Sequence, residues 1–273
     1  MYNPKTKKTT RKLRYNKKRT VKAKTTDKHI KSIVKKEIHR VAEDKKALPL
    51  ESQVVVSTPV AVGTNPYTLQ YSIIGINGID TLITQGTGEG GRIGNKITPR
   101  HLTVQGFLIP VNTSLGAGSL INSIPMIARM VIYRAKDNLY PINYTVMTTT
   151  FNPWSTVFQN GNTTIAPNNT YYDIMYKINK DKYIVYKEKI FKVGNAISAT
   201  FTANNNDFKM DNRYKLNLSK HLKKLVYDDA NLSNTSHAMH CIIFFCPYDN
   251  SALTPSTNYL QTFYNVELDY EDL

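Results

Sequence analysis

Cysteine is nearly absent: the 273 residues hold two, Cys241 and Cys246. Five positions apart in an apolar run, they point to opposite faces of a strand and do not bridge. A disulfide framework is excluded, which suits a reducing compartment. Long hydrophobic runs are also lacking. The longest, Cys241–Cys246, falls well short of the roughly 20 residues of a membrane-spanning helix, so no membrane insertion is expected. The N-terminus has charge but no apolar stretch, which excludes a secretory signal peptide. The Asn-x-Ser/Thr triplets at Asn162 and Asn231 are then chance products of an Asn- and Thr-rich chain. No G-x-S-x-G elbow and no H-E-x-x-H occurs, and Asp228–Asp229 sits in a turn-like context. No catalytic residue stands out, and neither an enzyme nor a cofactor is expected.

Acidic residues are missing altogether from the first 26 positions, and the charge that is there is unevenly spread. Residues 1–46 carry 18 Lys and Arg against four acids, Asp27, Glu37, Glu43 and Asp44, for a net +14. The remaining 227 residues contribute only +2 of the total +16. Such asymmetry points to a polyanionic partner, nucleic acid before an anionic membrane surface. The leading cations are Lys5, Lys7, Lys8, Arg11, Lys12, Arg14, Lys17, Lys18, Arg19, Lys22 and Lys24. On a segment too charged to fold alone, they neutralise phosphates and release condensed counterions, giving salt-sensitive binding indifferent to sequence. Only Tyr2 and Tyr15 could stack on bases there. The same run also fits a nuclear-import signal, with host import factors as partners. Residues 1–46 are thus read as an arm, disordered over 1–26. Ile30, Ile33, Val34, Ile38 and Val41 predict a short helix over about 28–46, marginal alone in water.

From residue 47 to 273 the texture is that of strands. Gln53–Val62 is rich in Val. Leu102, Val104 and Leu108 alternate with polar neighbours, as do Tyr214, Leu216 and Leu218, and the run 260–268. Residues 126–134 and 183–193 are strand-length and rich in β-branched and aromatic side chains, and 239–246 reads as a strand buried on both faces. Turn-rich loops are expected over 85–95, 111–124, 151–170, 204–213 and 228–236. Seven or eight strands with no alternating helices predict an all-β antiparallel sandwich. Lys215, Lys220, Lys223 and Lys224, on and around one strand, are further candidates for nucleic-acid contact, with a solvated strand face as the equal alternative.

Three other features carry alternatives. The glycine-rich segment 86–97 fits G-x-G-x-x-G loosely through Gly86, Gly88 and Gly91, but a strand pattern follows where a phosphate-binding loop needs a helix. His237, His240, Cys241 and Cys246 are metal-ligand residue types, yet neighbours on a strand diverge; no metal site is expected. The acids Glu267, Asp269, Glu271 and Asp272 form either a solvated tail or a terminus held away from a packaged polyanion.

The string GTGEGGRIGNKITPRHLTVQG (86–106) resembles a stretch in capsid proteins of small circular, Rep-encoding single-stranded DNA viruses, where R-x-G-N-K-I leads into a core strand. YKINKDKYIVYKEKIFKVG (176–194) is similar to a basic-aromatic segment of that family, with Glu188–Lys189 where Asp-Lys is usual, and HIKSIVKKEIHRVAEDK (29–45) looks like its link between arm and shell. The resemblance implies an eight-stranded antiparallel jelly-roll sandwich with a basic, partly helical N-terminal arm. It further implies a homo-oligomeric icosahedral shell of sixty copies (T=1), found in the virion and in the host nucleus during assembly, which packages single-stranded DNA. Similar jelly rolls coat small RNA and satellite viruses, so RNA stays open as the genome. A non-viral nucleic-acid-binding β-sandwich protein is the alternative outside viruses.

Overall fold

Side chains along residues 102–110 alternate strictly between buried and part-exposed, the period-two signature of a strand with one face on a core. The computed structural model describes residues 27–34, 37, 43–57, 68–75, 77–88, 90–110, 125–136, 157–194, 208–209, 211–227, 237–248 and 258–272. Lys5 through Lys24, the leading run expected to be disordered, lie outside them. The chain divides into two units, one running to Glu43 and including Leu273, the other spanning Asp44–Asp272.

In the first unit, residues 27–34 form a helix, α1. Its Ile30, Ile33 and Val34 share one stripe and are all exposed. The helix expected over about 28–46 does not persist to its end, because Glu43–Lys46 is a strand, β1. From Asp44 the exposure alternates, with Lys45 and Ala47 buried and Lys46 open. Pairing along the last strand wins over the weak helical preference of a short segment.

The second unit continues with β2 (Leu50–Ser57), β3 (Thr68–Ile74), β4 (Lys96–Pro110) and β5 (Met126–Ala135). An insertion follows, made of β6 (Phe158–Asn160), β7 (Thr163–Ile165), the short helix α2 (Tyr171–Met175) and β8 (Lys177–Ile178). Then come β9 (Tyr183–Val193), β10 (Asn212–Asn217), β11 (Leu225–Val226), β12 (Met239–Pro247) and β13 (Asn258–Asp272).

Eight of these strands pair as a folded ribbon. In chain order the first pairs with the eighth (β2–β13), the second with the seventh (β3–β12), the third with the sixth (β4–β10) and the fourth with the fifth (β5–β9), all antiparallel. The ribbon wraps so that β13 also pairs with β4 and β12 with β5. The result is two sheets, ordered β2-β13-β4-β10 and β3-β12-β5-β9, with β1 and β11 added to the first. This double-sheet wrapping is the jelly roll, and the expected all-β antiparallel sandwich is the architecture found.

The main core lies between the sheets. Leu102, Val104, Leu108, Leu216 and Val266 of one face Met130, Ile132, Cys241, Ile243 and Phe245 of the other. A hydroxyl network crosses it: Tyr214 Oη bonds Thr262 Oγ1 at 2.9 Å and Tyr71 Oη at 3.2 Å, while Tyr71 stacks on Tyr264 at 3.9 Å. Gly106 makes room for it, since a Cβ there would stand 2.3 Å from the Phe263 carbonyl oxygen and 2.6 Å from Tyr214 Oη.

A second core covers the outer face of the second sheet. Val131, Tyr133, Ile242 and Phe244 pack beneath Val157, Phe158 and Ile178 of the insertion. Every residue of β12 is therefore buried, as its unbroken apolar run predicted. Arg129, buried at 4 % exposure, fastens this layer. It donates to the Asp173 carbonyl oxygen (3.2 Å), to the Tyr176 carbonyl and to Glu188 Oε2 (2.9 Å). Glu188, the departure from the usual Asp-Lys, thus has a structural partner.

Candidate nucleic-acid interface

The four lysines singled out in the body are all exposed. Lys215 projects from β10, Lys220 sits in the single turn Ser219–His221, and Lys223 and Lys224 follow it before β11. They belong to a wider basic region that counting over the whole body conceals. Residues 177–224 carry twelve Lys and Arg against four acids. The rest of the 47–273 segment is net acidic, so the near-neutral body is itself polarised.

The fold gathers part of this charge into a seam where the free edges of the two sheets meet. Lys189 on β9 reaches the Arg213 carbonyl of β10 at 3.5 Å, and Asn212 Nδ2 donates to the Lys192 carbonyl at 3.0 Å. Lys187 and Lys189 on one strand and Arg213 and Lys215 on the other are all exposed. The seam extends toward Arg134 and Lys223, which both help hold the pKa of His237 down.

From the seam, the outer face of the first sheet opens as a shallow depression of about 960 Å³, lined by Phe107, Phe263, Gln105, Asn265, Arg213 and Lys215 among others. Strand register sets these in rows. Arg213 lies opposite Phe107, and Phe107 opposite Phe263. In the next row Lys215 lies opposite Gln105, Gln105 opposite Asn265, and Asn265 opposite Glu51. The Arg213 guanidinium stands 4.8 Å from the centre of the Phe107 ring, and Phe263 is 42 % exposed. Phe107, Phe263 and Arg213 were not candidates from sequence. Each ring falls at an outward position of its strand's alternation, Phe107 between buried Gly106 and Leu108 and Phe263 between buried Thr262 and Tyr264, and that alternation is the signal that could have found them.

The glycine-rich segment has a structural role. β4 starts within it, at Lys96, so no helix offers its N-terminus to a phosphate. Arg92 is 2 % exposed; its guanidinium covers the Tyr227 ring at 4.3 Å and donates to the Gly94 carbonyl (2.9 Å) and Asn95 Oδ1 (3.1 Å). The R-x-G-N-K-I string therefore folds on itself. The acidic C-terminal stretch is not a solvated tail. Glu271 and Asp272 are buried at the end of β13, where Arg100 pairs with Glu271. Lys45 Nζ binds Asp272 Oδ2 at 3.2 Å and the Gly91 carbonyl at 2.9 Å, while the Ile93 amide donates to the same carboxylate at 2.6 Å. Sheet pairing draws these acids inward, and Lys45 and Arg100 neutralise them.

The histidines and cysteines do not converge. Cys241 faces the main core, while its neighbours Ile242 and Phe244 face the second. Burial pushes both thiols up to about 12. It pushes His240 down to about 4, and His237 to about 4 with help from Arg134 and Lys223. Among the described residues no group of three or more His, Cys, Asp or Glu could hold a metal ion, and no helix is long and apolar enough to cross a membrane.

The pairing order defines the class: the body is an eight-stranded antiparallel jelly roll. No family model matches the sequence, and no curated protein does. Among solved structures, a chain from Desmodium yellow mottle tymovirus is similar over 85 % of this chain and 90 % of its own, with 12 % identity and a TM-score of 0.33.

Proposed function

We propose that this chain is the coat protein of a small icosahedral virus, in which the body tiles into a closed shell and the leading basic segment binds the packaged genome. One observation carries the reading: a leader of net +14 is joined to a jelly-roll body of net +2. The leader supplies polyanion binding without sequence choice. The body has no catalytic constellation in its sequence, and jelly rolls are a known solution for shell building. Sixty copies make the smallest complete icosahedral shell. The finer reading, a single-stranded DNA genome and assembly in the host nucleus, is supported by the resemblance of 86–106 and 176–194 to capsid proteins of Rep-encoding viruses and by the import-signal character of the leader. An RNA genome is the competing outcome.

The test is to express the chain, image the particles by electron microscopy and identify nuclease-protected nucleic acid. Deleting residues 2–26 should leave particles that retain little nucleic acid and have lost the steep salt dependence of binding. Unchanged packaging with the same salt dependence would overturn the role of the leader. A monomer at high concentration would overturn the shell.

A further inference from the structure

We propose that the open outer face of the first sheet is a base-stacking site for single-stranded nucleic acid. Phe107 and Phe263 form the stacking platform, and Arg213 and Lys215 hold phosphates beside it. This rests on the reading that the chain binds nucleic acid and adds a site in the body to the one in the leader.

The two outer faces of the sandwich are treated differently. The second sheet's is sealed by the insertion, with Phe158 and Ile178 packed on Ile242 and Phe244. Among the described residues nothing seals the first, and it presents Phe107 and the 42 % exposed Phe263 side by side on neighbouring strands. Two adjoining rings on an open sheet, flanked by Gln105 and Asn265, offer flat apolar surface with polar borders. Every base has a π-face, so such a platform binds single strands with little sequence preference.

Charge selects the occupant. Arg213 and Lys215 continue into Lys187 and Lys189 across the seam, a positive strip that favours a polyanion. A second copy of the chain would bring the same cations with it. Glu51 lies at the far side of the depression, and Glu267 and Asp269 further along β13, so the polymer is expected to follow the β10 and β9 side. The Arg213 guanidinium over Phe107 already holds a cation–π geometry, which fixes the phosphate-binding group next to the stacking ring.

Binding of labelled oligothymidylate and of an abasic oligomer of equal length to the full chain separates stacking from charge, because the abasic strand keeps its phosphates and loses its bases. The native protein should prefer oligothymidylate. Phe263→Ala or Phe107→Ala should weaken oligothymidylate binding by about 5- to 150-fold and leave abasic binding unchanged. The milder Phe107→Leu/Phe263→Leu variant, checked for native folding by circular dichroism, should lose the same preference. Arg213→Gln should weaken both oligomers alike and lower the salt slope by about one.

No preference in the native protein, or a preference that survives the double variant, overturns the site. A double variant that keeps its preference but changes particle mass in light scattering assigns the face to contacts between copies, which also overturns it. Failure of the leader reading shows separately, as an unchanged salt slope after deletion of residues 2–26.

Discussion

Buried histidine should make the body sensitive to acid. His240 is enclosed by β12, β3 and β5, with Nδ1 3.2 Å from Ser72 Oγ. Burial lowers its folded pKa from 6.5 to about 4. As pH falls through 6.5 the unfolded chain takes up a proton that the native state refuses, so stability is lost down to about pH 4. Over that span the loss for one group is on the order of 3 kcal/mol. His237 acts in the same direction. Asp173 opposes them: burial raises it to about 6, so the native state keeps a proton that the unfolded chain releases between pH 4 and 6. With two groups against one, stability should fall between pH 6.5 and 4.5. His240→Asn keeps a partner for Ser72 and removes the titration. Urea unfolding at the two pH values should show a smaller acid loss in the variant, and an equal loss would sink the account.

At the scale of elements, β13 holds the first sheet together. It pairs with β2 on one side and β4 on the other, and its end clasps the glycine-rich segment through Asp272. The Lys45–Asp272 pair is buried, with side chains 5 % and 2 % exposed. Lys45→Met would leave a buried carboxylate unpaired, at a cost of about 3–5 kcal/mol. Lys45→Met/Asp272→Asn keeps an acceptor for the Ile93 amide and should recover most of that loss. Thermal or urea unfolding of the three proteins closes the cycle; a double variant no better than the single would show that the ion pair is not the source. Strands β4, β5, β9, β10, β12 and β13 were legible because their side chains alternate, or are apolar throughout where both faces are covered. β3 was passed over although Leu69, Tyr71 and Ile73 alternate with Thr68, Gln70 and Ser72. The hairpin β6–β7 was read as loop, because three-residue strands in an Asn- and Thr-rich stretch show no period.

The whole molecule is polarised at two levels, leader against body and, within the body, residues 177–224 against the rest. In a shell of sixty copies, leaders of net +14 would bring about 840 positive charges into one volume, enough to bind a comparable number of phosphates. Their mutual repulsion should disfavour empty shells at low salt and couple assembly to packaging. Sedimentation of nucleic-acid-free protein should show few closed particles at low ionic strength and many after adding salt or a polyanion. Equal yields of empty shells under all three conditions would contradict the coupling.

The sequence by itself determined the uneven charge of residues 1–46 against the rest and the all-β class, because both follow from local quantities: charge per segment and side-chain period. Only the tertiary structure decided how distant residues meet. Arg213, Phe107 and Phe263 come from strands far apart in the chain, and only the wrapped pairing of β10, β4 and β13 lines them up. The buried fate of Glu271 and Asp272 was likewise hidden, because a carboxylate near a chain end reads as solvated until its cationic partner, far away in sequence, is placed beside it.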